Sequence, residues 1–262
     1  MISPLAHVDP AAKLGQNVTI HPFAYVDADT VIGDGCEIMP YASIVHGATL
    51  GKNVKVYQGA IVGADPQDFR WKGNPSYCEI GDNTIIREHV IVNRGIYSHG
   101  GTYIGPDCLV CADSHIGHDS RIAGRCVIGN SVSVAGDVFI DEGSILSSAV
   151  VVHEKSRIGK YVLIKGGTRI SSNVPPFVIM AHNPVSYYGV NSIVMQKHCG
   201  FTEQQIDDIA KAYRHIYQCS TSVFNALKRI ETDIDPSPVR EEILAFVREN
   251  NMKLAGDRFE TD

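Results

Sequence analysis

Long apolar runs, a surplus of basic residues and paired cysteines are all missing from this sequence. No stretch approaches the ~20 consecutive apolar residues that span a bilayer, and the opening MISPLAHVDPAAKLG has no basic segment followed by an apolar core of the kind that directs export. The 262 residues include 23 Lys+Arg against 29 Asp+Glu, a net charge of −6, so there is no broad basic face to neutralise nucleic-acid phosphates. The seven cysteines are odd in number and scattered. The one Cys-x-x-Cys, Cys108 to Cys111, has no second pair to complete a zinc ribbon and no strand–helix–strand pattern around it. A disulfide framework is thereby disfavoured and a reducing, cytoplasmic compartment expected. There is no GxSxG elbow, P-loop or GxGxxG, which removes covalent-serine and nucleotide-hydrolysing chemistry from consideration.

What is present is a period of six. Ile, Val or Leu occupies every sixth position from Ile2 to Val62, again at Ile80, Ile86 and Val92, and then from Ile104 to Ile170, all in one frame. Four residues after most of these sits a small or β-branched residue, such as Ala24, Cys36, Ala42, Cys108, Ser120, Cys126 and Ser144. That residue lies two before the next aliphatic, so both face the same side of a short strand. Glycine often follows the aliphatic, as at Gly33, Gly105 and Gly117, where a tight turn is expected to need its freedom. Strand and turn at a period of six, three hexads to a coil, predict a β-solenoid of triangular cross-section with the aliphatic ladder inside. Cys36, Cys108 and Cys126 then belong to the core, and the Cys-x-x-Cys points two ways. The handedness cannot be read from the spacing.

The predicted solenoid covers residues 1–174, with inserted loops at 64–79 and 93–103. The pattern ends at Asn173-Val174-Pro175-Pro176, and residues 175–262 are expected to form a C-terminal α-helical subdomain. A capping box at Thr202–Gln205 opens a helix whose apolar stripe is Ile206, Ile209, Ala210, Tyr213, Ile216 and Tyr217. A second helix is expected over 223–230, and Ser237-Pro238 opens a third. Residues 253–262 read as a frayed tail.

A repeat column buries its interior, so chemistry must come from corners, outward faces and inserted loops. The loop at 64–79 contains the only tryptophan, Trp71, beside Arg70 and Lys72, with Gln67 and Asp68 just before. His115-Ile116-Gly117-His118-Asp119 places two histidines either side of an inward Ile116, with a carboxylate next to His118 that can orient an imidazole acting as general base. Together with His153 these histidines also suggest zinc, but no Cys or carboxylate set completes a convincing site, and none is expected.

Gln67-Asp68, Ile80-Gly81-Asp82-Asn83, Arg87-Glu88, Asn93-Arg94-Gly95, His115-Ile116-Gly117-His118-Asp119, Asn173-Val174-Pro175-Pro176 and Gly189-Val190-Asn191 follow one another in that order. In this the chain resembles the UDP-N-acetylglucosamine O-acyltransferase family of hexapeptide-repeat acyltransferases along essentially its whole length. The resemblance implies a left-handed parallel β-helix and a cytoplasmic homotrimer with active sites between neighbouring columns. It implies transfer of an (R)-3-hydroxyacyl group from acyl carrier protein to the 3-hydroxyl of UDP-N-acetylglucosamine, the first step of lipid A biosynthesis, with no acyl-enzyme, cofactor or metal. His118 becomes the general base, Asp119 its support, and the Gly136 backbone N–H the oxyanion donor. Asp68 would contact the acyl 3-hydroxyl, with Gln67 and Arg70 in the same loop, while His115, His153 and Asn191 would line the sugar and nucleotide pocket. Gly166 falls where the family limits its acyl groove, and a glycine there leaves room for a longer chain.

The chain departs from that family at Asp137 and Glu154, where His and Gln are common, and both add negative charge near the expected site. Lys197 or His198 would serve the UDP phosphates in place of the usual two arginines. Lys155, Arg157, Lys160, Lys165 and Arg169 are a candidate docking face for the acidic carrier protein. The rival readings are the N-acyltransferase of the same pathway, a coenzyme A-dependent acetyltransferase, a non-catalytic β-helix scaffold, and a hexapeptide-repeat carbonic anhydrase. The first would carry a further N-terminal domain, whereas here the hexads begin at Ile2; the last uses an H-x4-H spacing that this chain lacks.

Overall fold

Each hexad folds as a strand of two to four residues followed by a corner, in a computed structural model that describes residues 1–97, 100–251 and 253–256. Ser98 and His99 of the second inserted loop, Met252, and residues 257–262 of the expected frayed tail lie outside the described residues. Every third strand stacks in parallel on the one before it, giving three sheets of nine, eight and ten strands. We call the sheet running from His7–Val8 to Arg169–Ile170 the first face, that from Lys13–Leu14 to Arg157–Ile158 the second, and that beginning at Thr19–Ile20 the third. The chain is a left-handed parallel β-helix of hexapeptide repeats with C-terminal helices.

The predicted inward ladder is the core. Ile20, Ile38, Ile44, Ile86, Ile116, Ile128 and Ile164 are fully buried, and so are Cys36, Cys126, Ser120 and Ser144 among the small residues. Only the first coil departs, because nothing stacks beneath it: Ile2 is exposed and Val8 and Leu14 are half-buried. Small polar residues also join successive coils. Ser120 Oγ donates to Ala135 O at 2.8 Å and accepts from Val138 N at 3.3 Å, and Ser144 makes the same pair of bonds with Gly159 O and Val162 N. The thiols of Cys108 and Cys126 donate in the same way, to Ala123 O and Asp141 O. All seven cysteines are free.

The expectation for glycine is corrected. The left-handed backbone lies at the third corner residue, and there Asn17, Asn53, Asn83, Asp107, Asp119 and Asp137 adopt it, with φ of 57° at Asp119 and 58° at Asp137. Asn and Asp tolerate this region because their short side chains bond locally. The glycine directly after the aliphatic meets a different constraint: a Cβ on Gly117 would lie 2.7 Å from Ala135 C and 2.8 Å from Gly136 N. Close approach of the next coil, not backbone freedom, excludes a side chain there.

Parallel stacking continues past residue 174. Val178–Ala181 pairs with Leu163–Ile164 and is capped by antiparallel Ser186–Val190. Four helices follow: α1 (Ser192–His198), α2 (Glu203–Arg214), α3 (Val223–Asp233) and α4 (Pro238–Glu249). The capping box at Thr202 and Gln205 is formed, and a π-helical turn at His215–Cys219 extends α2. Ala212, not the expected Ala210, joins the buried stripe of α2. Tyr213 Oη donates to Pro176 O at 2.6 Å, which ties α2 to the top of the column. Of the expected frayed tail, Leu254 and Ala255 are buried, with Ala255 N donating to Asn173 O. Ile128→Ala should cost about 2–5 kcal/mol, since a fully buried isobutyl-sized group leaves a cavity in a stack that cannot collapse. The shift in a urea unfolding curve measures this.

Candidate active site

Both inserted loops leave the column between the first and second faces. The first connects Ile61–Ala64 to Cys78–Ile80, and the second connects Ile91–Asn93 to Thr102–Ile104. The next three turns of the same corner carry Gly117-His118-Asp119, Ala135-Gly136-Asp137 and His153-Glu154-Lys155. An excursion at this corner therefore lies against the histidine pair, and a cleft of about 380 Å³ opens between loop and column. Gln67, Asp68, His115, His118, Gly136 and Glu154 line it.

His118 is 7% exposed, more enclosed than a corner residue is expected to be, because the first loop closes over it. Its Nδ1 lies 3.0 Å from Asp119 Oδ2. A carboxylate there requires Nδ1 to carry the proton, which leaves Nε2 as the acceptor. The same Asp119 oxygen accepts from Ile96 N at 2.9 Å, so the second loop helps to orient the carboxylate that orients the ring. Nε2 faces Asp68 Oδ2 at 3.5 Å, beyond hydrogen-bond contact. On its other side the ring lies against the backbone of Gly136, where a Cβ would come within 2.3 Å of both Cε1 and Nε2. Gly136 is thus required by the imidazole itself. Its N–H donates to no acceptor among the described residues.

Arg70 connects loop and column. It chelates the Asp68 carboxylate from Nε and an Nη at 2.8–3.1 Å and reaches Glu154 Oε1 at 3.1 Å. These hydrogen bonds from the Arg70 side chain and backbone hold the Asp68 carboxyl well below the usual carboxylate range. Burial, and then the charge of His118, push the His115 imidazole down. His118, Asp119 and Asp137 bring one ligand atom each within 4.8 Å of one another, the single such grouping among the described residues. Within it, Asp119 Oδ2 is already bonded to His118 Nδ1 and Ile96 N.

The remaining expected residues lie apart from this cleft. His153 stands on the same corner with its Nε2 accepting from Arg169 Nε at 2.8 Å. Gly166 is at the corner between the third and first faces, on the far side of the first face from His118. Asn191 is buried and donates from Nδ2 to Tyr161 O at 2.9 Å. Lys197 and His198 end α1, and His198 lines a second cleft with Arg125, Tyr161 and Val194 at the corner between the second and third faces. One chain does not bring these residues to His118. The basic stretch is also dispersed, since 155–169 winds almost once around the prism. Arg157 lies over Phe139, Lys160 pairs with Glu242, and Lys165 lies over Tyr188. Asn93 lines the cleft and, with Arg94, fastens the first loop. Asn93 Nδ2 donates to Asp65 O, while Arg94 donates to Gly63 O and pairs with Asp65. Their sequence signals are the Asn93-Arg94-Gly95 motif of the family resemblance and their place at the start of the second register break.

The family model for domain 2 of UDP-N-acetylglucosamine O-acyltransferase matches residues 173–255, and that for the bacterial transferase hexapeptide (six repeats) matches 29–64. The acyl-[acyl-carrier-protein]–UDP-N-acetylglucosamine O-acyltransferase of Chlorobaculum parvum is 46% identical over 246 residues, covering 94% of this chain and 93% of the relative. The UDP-N-acetylglucosamine acyltransferase of Bacteroides fragilis superposes with a TM-score of 0.94 at 41% identity, covering 97% of this chain and 99% of that one. That of Francisella novicida does so with 0.92 at 30% identity, covering 99% and 95%. With a relative of that identity matched along nearly its whole length, the chain belongs to the acyl-[acyl-carrier-protein]–UDP-N-acetylglucosamine O-acyltransferase family.

Proposed function

We propose that this protein transfers an (R)-3-hydroxyacyl group from acyl carrier protein to the 3-hydroxyl of UDP-N-acetylglucosamine, with His118 as general base. The observation that carries the reading is the pairing of an oriented imidazole with an unused amide: Nδ1 is tied to Asp119, and Nε2 lies beside the Gly136 backbone. Nε2 takes the sugar hydroxyl proton as the oxygen attacks the thioester carbonyl. The Gly136 N–H receives the oxyanion, and collapse releases the carrier thiolate, which recovers the proton from His118. Once protonated, Nε2 faces the Asp68 carboxylate 3.5 Å away, so the charged intermediate has a counter-ion waiting. No acyl-enzyme and no metal enter this scheme.

Asp68 and Gln67 are assigned to the acyl group, His115, His153 and Asn191 to the sugar nucleotide, and Lys197 or His198 to its phosphates. Those last residues lie at a different corner of the same column, which supports a homotrimer whose sites form between the His118 corner of one copy and the α1 corner of the next. Arg70 and Glu154 act on the loop that holds Asp68. Lys155 and Arg169 are the members of the basic stretch closest to the cleft corner and first face, and the carrier is assigned there. Gly166 has no left-handed backbone to require glycine; a Cβ would meet Ser148 O tightly at 3.1 Å and nothing else within 4 Å, and the absence of a larger side chain there is read as room for a long acyl chain.

Mass analysis of the product formed from UDP-N-acetylglucosamine and a panel of hydroxyacyl carrier proteins tests the reading. The expected product is the O-acylated sugar nucleotide. Equal turnover with coenzyme A thioesters would overturn it. His118→Ala should lower kcat by about 10²- to 10⁴-fold, the usual worth of a positioned base. Gly136→Ala should be comparably damaging without unfolding the column, because its methyl displaces the imidazole. Gly166→Met should reverse preference from long to shorter acyl donors in competition assays. In an NMR pH titration Asp68 should ionise below about 3.9, the ordinary value, and Arg70→Met should raise its midpoint toward that value by removing the guanidinium that favours the carboxylate.

A further inference from the structure

Ser120 follows the catalytic pair His118-Asp119 in sequence, yet it points the other way, into the column, and is fully buried. Its hydroxyl donates to Ala135 O at 2.8 Å. That carbonyl belongs to the peptide unit whose nitrogen is Gly136 N. A trans peptide is planar, with C=O and N–H pointing in opposite directions. A carbonyl drawn inward to Ser120 therefore directs the Gly136 N–H outward, to the side where the His118 ring lies and the cleft opens. Donation to the carbonyl also polarises the amide, so its N–H becomes a stronger donor.

We propose that Ser120 is a positioning residue for the oxyanion site: by anchoring Ala135 O it aims and polarises the Gly136 amide. The proposal rests on the reading of Gly136 N–H as the oxyanion donor. Ser120 touches no reacting atom and is reached only through the peptide it holds. The second bond of its hydroxyl, accepted from Val138 N at 3.3 Å, fixes the residue two beyond Gly136, so the short corner segment is held at both ends.

The column supplies its own control. Ser144 occupies the same place in its hexad, is equally buried, and makes the same two bonds, to Gly159 O at 2.8 Å and from Val162 N at 3.2 Å. The peptide it anchors is Gly159–Lys160, at a different corner from His118. A purely structural hydroxyl should matter equally at both sites.

The test compares Ser120→Ala and Ser144→Ala in steady-state transfer and thermal unfolding. The two should lose similar thermal stability. Ser120→Ala should lower kcat by roughly tenfold or more, a part of what loss of a whole oxyanion donor costs, with KM for the sugar nucleotide within about twofold. Ser144→Ala should leave kcat within about twofold of the parent, since no reacting group depends on its peptide. Ser120→Cys should recover most of the rate, because the thiols of Cys108 and Cys126 already donate to the equivalent carbonyls. Should Ser120→Ala not fold, Ser120→Val is read against Ser144→Val, valine being the residue that fills the same inward position at Val132, Val150 and Val162, with a severalfold lower kcat expected only at 120. Equal kcat within either pair overturns the role of Ser120. If the parent protein transfers no acyl group, or His118→Ala is fully active, the mechanism fails first and the proposal falls with it.

Discussion

Return to register sets every other feature of this molecule. Each coil must present its strands to the parallel hydrogen bonds of the coil below after three sides, with one aliphatic and one small residue filling the interior of each side. Strands of two residues leave no slack for an extra residue within a face. Additional chain can leave only at a corner, and it must come back in phase, as Ile80 does after Val62 and Ile104 after Val92. A loop inserted into such a column is therefore held at both ends by consecutive coils. It becomes a firm wall for whatever the neighbouring corners display, and not a free flap.

The site follows from that wall. His118, Gly136 and Glu154 are successive turns of one corner, spaced by the stacking of coils, and Asp68 and Arg70 come from the loop leaving the same corner lower down. Three constraints meet at the imidazole: Asp119 fixes its tautomer, Gly136 gives it room, and the Arg70-held Asp68 faces its Nε2. The left-handed backbone at Asp119 and Asp137 is shared with many other corners, so the His118 turn uses the ordinary corner conformation and adds only side chains. Close approach at Gly117 and Gly136 does more to specify the site than any unusual dihedral.

Sequence periodicity was sufficient for the interior and insufficient for the surface. Two inward residues per side repeat with a fixed period, so Ile116 and Ser120 are legible as core and His118 as a corner residue by counting alone. Counting the hexads in threes would also have placed both register breaks and His118 on one corner, since Val62, Val92 and Ile116 all lie in strands of the first face. The glycine after the aliphatic misleads because two demands, close approach and left-handed backbone, favour the same residue type while lying two positions apart. The link from Arg70 to Glu154 spans 84 residues and has no local pattern. The basic stretch 155–169 misleads for a geometric reason: residues contiguous in a solenoid point off successive faces, so clustering along the chain disperses charge in space. Helix α1 escapes notice because Met195 alone is buried within it.

Charge around His118 also limits how a nucleotide substrate can lie. Asp68, Asp119, Asp137 and Glu154 gather at or beside the cleft, with Arg70 already shared between two of them. Such a surface suits a hydroxyl-rich sugar, and it repels a diphosphate through like-charge interaction. The phosphates of a UDP-sugar must be held by cations displaced from the carboxylates. Lys197 and His198 at the α1 corner are the candidates for that role, Arg125 beside them being paired with Glu142, but within one column they stand at a different corner from His118. Acids at 137 and 154 are thus in keeping with the proposed arrangement between copies, with the sugar at the His118 corner of one and the anionic end at the α1 corner of the next.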